Sequence, residues 1–185
     1  MAFKKPVATV AVAESPDRLF RDLPKRRHPS LFDHQGQMLR NYVATAIDAK
    51  DVALQLPTGS GKTLVGLLLA DWRRRKFREK VVYLCPTNQL VYQVAEEAST
   101  KYGLSIEAFT GKVKDYSPAA KAAYADGDRI AVTNYSSLFN TNPFFEDPDI
   151  IIVDDAHAAE NYIAAQWTLS MSRLSEGSVH LHNAV

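Results

Sequence analysis

Two short stretches carry residue types that do phosphate chemistry. The first is Leu56-Pro57-Thr58-Gly59-Ser60-Gly61-Lys62-Thr63. It follows an apolar run, Val52–Leu56, and opens a helical pattern, Lys62–Phe77. Between a strand and a helix, such glycines turn backbone N–H groups inward as an anion nest. The helix N-terminus adds partial positive charge. Thr58, Gly59, Ser60, Gly61 and Lys62 would cradle the phosphates of a nucleotide, ATP, and Thr63 would ligate its Mg²⁺. The first glycine of the usual phosphate loop is Leu56 here.

The second stretch is Ile150-Ile151-Ile152-Val153-Asp154-Asp155-Ala156-His157. An unbroken β-branched run reads as a strand covered on both faces. Asp154 stands where that strand emerges, placed to hold Mg²⁺ directly or through water. Asp155 follows and is the candidate for orienting or deprotonating an attacking water. Two acids here would equally cap the helical stretch Ala158–Met171.

Positioning these groups takes a parallel sheet. Val52–Leu56, Val81–Cys85, Arg129–Thr133 and Ile150–Asp154 read as short buried strands, and Ser105–Phe109 as a weaker one. Helical patterns separate them: Lys62–Phe77, Asn88–Tyr102, Pro118–Tyr124 and Ala158–Met171. An earlier helix, Gln35–Asp48, is expected with Asp33 as its N-cap. Alternating strands and helices predict an α/β fold, a three-layer parallel sheet of the P-loop NTPase kind. Residues 1–30 carry Pro6, Pro16, Pro24, Pro29 and a basic cluster, Lys25–His28, and read as an N-terminal arm. Residues 31–175 form the domain and 176–185 a tail, in which His180 and His182 read as a solvated end.

In order along the chain, the segments resemble the first RecA-like lobe of superfamily 2 helicases, the DEAD/DEAH-box group, over residues 31–172. Leu56–Thr63 resembles motif I, and Asp154–His157 motif II with Asp in its second place. Pro86–Gln93 is similar to the "PTRELAxQ" segment, Thr110-Gly111 to the TG motif, and Val132–Leu138 to an "xxTxxxL" segment. His34-Gln35 resembles the glutamine that reads adenine. The resemblance implies catalytic roles for Lys62 and Asp155. It also implies that Pro86, Thr87, Thr110, Gly111, Thr133 and Asn134 grip the sugar-phosphate backbone of one DNA or RNA strand. All lie at strand ends, where open α/β sheets gather ligands. A second RecA-like lobe, supplying an arginine finger, is the implied partner. No Ser/Thr-Ala-Thr triplet (motif III) follows His157, so the chain reads as a fragment, a truncated product or half of a split machine. The alternative is a non-catalytic ATP- and nucleic-acid-binding module. A P-loop NTPase acting on a small molecule fits the motif order poorly.

Composition narrows the field further. The chain has 185 residues, is 46% hydrophobic and carries a net charge of +1, which excludes a disordered or fibrous protein. No apolar run reaches a membrane span. The expected location is cytoplasmic, or nuclear in a eukaryote. A short apolar stretch after Lys4 and Lys5 is only a faint leader pattern and is read as part of the arm. One cysteine, Cys85, excludes an internal disulfide and reads as a small buried hydrophobe. Arg73–Lys80 has the charge of a nucleic-acid patch. It lies about 15 Å or more along its helix from the phosphate loop. There it complements the helix C-terminus, and a structural role is expected.

Overall fold

The computed structural model describes residues 12–167. Four parallel strands form one sheet in the order β2-β3-β1-β4: β1 is Val81–Cys85, β2 Ile106–Phe109, β3 Ile130–Asn134 and β4 Ile150–Val153. The alternation of side chains along each strand builds two cores. Val81, Tyr83, Cys85, Ile130 and Val132 pack on one face, beneath α2 (Asp33–Thr45), α3 (Lys62–Phe77) and α4 (Asn88–Glu97). Val82, Leu84 and Ala131 pack on the other with Phe109, Tyr124, Tyr135, Phe145 and Ala159. That face is covered by α5 (Pro118–Ala125), α6 (Tyr135–Leu138) and α7 (Ala156–Trp167). The expected three-layer architecture is present.

Four elements differ from expectation. β4, expected to be covered on both faces, is an edge of the described sheet, with Ile151 45% exposed and its other residues only partly buried. Val52–Leu56 forms no strand. Val52 and Leu54 are 41% and 36% exposed, and only Leu56 is buried. Its apolar pattern asks for a neighbour in a sheet, and no described residue pairs with it. Residues 16–23 of the expected arm, by contrast, are docked, while 24–30, with the basic cluster Lys25–His28, are exposed. A short helix, α1 (Pro16–Leu19), and the 3-10 turn after it bury Leu19, Phe20 and Leu23 against α2 and α3. The Trp72 indole clamps this segment by donating to the Ala13 carbonyl at 2.8 Å. Asp33 is not a cap but the first residue of α2. The Phe32 N–H is satisfied by Gln35 Oε1 at 3.1 Å. Met171, the tail and its two histidines lie outside the described residues, as do residues 1–11.

The basic run is structural, as expected, but Arg73, Arg74 and Arg75 are drawn into ion pairs where a solvated face was expected, and of its charged residues only Lys76 and Arg78 are exposed. Arg73 forms a two-pronged pair with Glu79 at 2.7 Å and donates to the Ile47 carbonyl. Asp71, fully buried, lies 2.6 Å from Arg74 and 2.8 Å from Arg75. Arg74 also donates to the Asp128 carbonyl, tying α3 to the turn before β3. Lys80 pairs with Asp147.

Candidate nucleotide and nucleic-acid site

The phosphate loop leads directly into α3. Gly59 and Gly61 have φ of 77° and 78°, the left-handed region where a side chain is strained. Gly61 is the N-cap of α3 and offers no side chain to its first N–H groups, so they are available to an anion. Leu56, in the place of the missing glycine, is buried in the core beneath α3 and anchors the loop. The Ser60 N–H and Oγ–H both donate to the Pro57 carbonyl, at 3.2 and 2.6 Å, and close the turn. Thr58 and Lys62 are exposed at its mouth.

Gln35, the candidate adenine reader, is engaged by its own chain. Its side chain is buried, donates from Nε2 to the Ser60 carbonyl at 2.8 Å and receives the Phe32 N–H. His34 Nε2 approaches the same Ser60 carbonyl at 3.2 Å. The glutamine is thus a clasp between α2 and the phosphate loop. A Cβ on Gly61 would lie 2.4 Å from its Nε2, so this close approach requires glycine.

Asp154 and Asp155 follow β4 at the same end of the sheet. Asp154 extends the ladder through its N–H, which donates to the Leu84 carbonyl at 2.9 Å. Burial raises the pKa of its carboxyl. The Tyr83 phenol opposes that rise, neighbouring Asp155 adds to it, and Lys62 opposes it. Tyr83 was not anticipated from the sequence. Burial pushes its phenol well above the usual range, and the Asp154 charge adds to the rise while Thr63 opposes it, so it lies near both candidate metal ligands. Gly66 makes room for it: a Cβ there would lie 2.9 Å from the Tyr83 ring. A tyrosine in a strand reads from sequence as core, and nothing in its spacing reveals where its hydroxyl lands. The donor set suits Mg²⁺, which takes one or two protein oxygens and completes its shell with phosphate and water. A partly buried carboxylate, whose charge burial disfavours, gains a compensating charge from such a cation.

Asp155 is one of two described non-glycine residues with positive φ, at 58°. Its carbonyl accepts from the Ala158 and Ala159 N–H groups and starts α7. Burial pushes the Tyr135 phenol up to about 12, so it remains a donor. That phenol donates to the Asp154 carbonyl at 2.6 Å and lies 3.1 Å from that of Asp155.

The loops after β1, β2 and β3 meet at this end and are stitched together. The Tyr92 and Thr110 hydroxyls hydrogen-bond each other. Asn134 Nδ2 donates to Asn88 Oδ1. Thr87 accepts the Leu90 N–H and caps α4. Thr87 and Gly111 are exposed, and Pro86, Thr110 and Asn134 partly so. Thr133 is the exception among the expected contacts. It is fully buried and its hydroxyl donates to the Phe109 carbonyl at 2.6 Å, holding β3 to β2. Its type suggested a phosphate donor, but its place on the strand turns it inward. Cys85 is buried, and burial pushes its thiol up to about 12, which leaves it unreactive.

A parallel sheet flanked by helices, a glycine-rich loop at the start of α3 and an acid pair after β4 define a helicase-type RecA-like lobe. The sequence profile of the family described as "Type III restriction enzyme, res subunit" matches residues 28–174, and the chain belongs to that family. It is 31% identical over 106 residues to the ATP-dependent RNA helicase SrmB of Haemophilus influenzae, across 54% of this chain and 21% of that protein. The fold is similar to the crystal structure of the UvsW helicase from bacteriophage T4. The TM-score is 0.61 at 19% identity, over 82% of this chain and 53% of that one. The chain thus spans about a fifth of the one protein and half of the other. Among the described residues, no helix is long and apolar enough to cross a membrane.

Proposed function

We propose that this lobe binds ATP with Mg²⁺ on the phosphate loop and one strand of DNA or RNA across the loops after β1, β2 and β3. The proposed setting is the cytoplasm, with a second RecA-like lobe completing the machine that couples hydrolysis to movement along the strand. The observation that carries the reading is the glycine-rich loop, with Gly59 and Gly61 at positive φ, opening directly onto the uncapped N-terminus of α3. Thr63 and Asp154 would hold the metal, which shields phosphate charge when bound. Lys62 would reach the terminal phosphates. Asp155 would orient the attacking water, with a carboxylate one carbon–carbon bond, about 1.5 Å, shorter in reach than glutamate. Thr87, Thr110, Gly111 and Asn134 would supply backbone and side-chain donors that hold phosphates without reading bases, and Pro86, which has no N–H to donate, would shape the loop that presents them.

Calorimetry tests the nucleotide half. ATP–Mg²⁺ binds the chain, and Lys62→Ala weakens it strongly because the phosphates lose their charged partner. Equal affinity in both would reject the reading. Fluorescence anisotropy tests the other half. Single-stranded oligonucleotides bind without sequence preference and dissociate as salt rises. Sequence-selective, salt-independent binding would reject it.

A further inference from the structure

We propose that Tyr135 is a positioning residue through which a strand bound on the loop after β3 bears on the acid pair. The proposal rests on the function proposed above and names a residue to which that reading gives no role. Tyr135 is the first residue of α6, a single helical turn. Its ring is 2% exposed and lies between that loop and motif II. The phenol donates to the Asp154 carbonyl at 2.6 Å and stands 3.1 Å from the Asp155 carbonyl, so one hydroxyl holds both acids by their backbone.

The backbone it holds is a strained one. Asp155 sits at φ 58°, in the left-handed region that side-chain-bearing residues rarely adopt and that persists where neighbours hold it. The enforcing contacts are the Tyr135 hydroxyl on one side and the Ala158 and Ala159 N–H groups on the other. At its other end, Tyr135 is joined to the residue around which the loop is organised. Asn134 Oδ1 accepts from the Ser137 N–H, Ser136 Oγ and Ser137 Oγ, while Nδ2 bonds Asn88 of the neighbouring loop. Asn134 is also the candidate strand contact. A phosphate that draws Asn134 or Ser136 outward rotates the adjacent Tyr135, and the hydroxyl moves with it. Release or tightening of this hydrogen bond then changes the φ of Asp155 and the direction of its carboxylate. The connection is one peptide bond and one side chain long, so it needs no extended pathway.

The test is a linkage measurement on the full chain. The affinity of a fluorescent single-stranded oligonucleotide is measured with and without a non-hydrolysable ATP analogue and Mg²⁺. The wild type and Tyr135→Phe, which keeps the ring and removes the hydroxyl, are compared. In the wild type each ligand changes the affinity of the other by about fivefold or more, reciprocally. In Tyr135→Phe the separate affinities stay within about twofold and the coupling falls to within about twofold of none. Coupling retained in Tyr135→Phe overturns the proposal, as does a wild type that binds both ligands without coupling. A wild type that binds neither rejects the proposed function itself, and this inference with it. A second measurement covers a variant that fails to fold. In the wild type, adding the oligonucleotide alters hydrogen exchange at the Ala158 and Ala159 amides, whose acceptor is the Asp155 carbonyl. Unchanged exchange there, with the oligonucleotide bound, also overturns the proposal.

Discussion

Gln35 and Asp154 show how one side chain's surroundings redirect its expected use. The Gln35 amide is spent on Ser60 and Phe32, so its first effect on a nucleotide passes through the loop rather than the base. Gln35→Ala is expected to weaken ATP and GTP together. The loss is about fivefold, the equivalent of one hydrogen bond of about 1 kcal/mol. A competition assay in which the ATP/GTP ratio itself falls toward one would restore a base-reading role. At Asp154 the sign of a pH effect follows from burial. The folded state raises the carboxyl above its ordinary value of 3.8, so it binds the proton more tightly than the unfolded chain does. Stability without metal therefore falls as pH rises from that value through the raised one. Mg²⁺ requires the charged form, so its affinity climbs over the same window. Asp154→Asn is expected to raise the thermal midpoint in EDTA at neutral pH. It should abolish the further rise that ATP–Mg²⁺ gives the wild type. Thermal melts under the four conditions check both.

At the scale of elements, α3 is held at both ends by different physics. Its N-terminus is left open for an anion, with Gln35 as the clasp. Its C-terminal turn is locked by a buried charge, Asp71, facing Arg74 and Arg75. Removing one member of such a cluster leaves the others buried without compensation. Asp71→Ala is therefore expected to cost about 3–5 kcal/mol. Urea unfolding measures it, and a cost below 1 kcal/mol would show that solvent reaches the arginines. Helix boundaries were mostly legible: α3 begins and ends where its glycine cap and basic last turn place it. The strand expected over Val52–Leu56 was not realised. The alternation that suggests a strand records a demand for burial, and a strand exists only where a neighbour satisfies its backbone. No described residue does so there, and Ile151 on β4 is likewise 45% exposed.

For the whole molecule, the proposed reaction needs more than this lobe. An arginine finger contributes about 10³–10⁵ in rate, and the proposed second lobe would supply it. The chain alone is expected to bind ATP but to hydrolyse it slowly or undetectably, and the matching lobe added in trans to raise the rate by orders of magnitude. Asp155→Asn should remove that gain while ATP stays bound. A phosphate-release assay decides. Fast turnover by residues 1–185 alone, or a stimulated rate indifferent to Asp155→Asn, would overturn this. The sequence by itself determined the fold class, the phosphate loop, the acid pair and their order, because each depends on local chemistry. Glycine must supply positive φ, a β-branched run favours a strand, and a strand end must present its next residue. The retirement of the basic run to a structural role was also legible, from its position on α3. Only the tertiary structure decided the partners of individual side chains. Thr133 turned inward to Phe109, Gln35 closed on Ser60, and Tyr83 and Tyr135 reached motif II from strands and loops distant in the chain. Such contacts depend on sheet order and on which side of a strand each residue falls. Those are set by the packing of the whole layer, and spacing along the chain does not encode them.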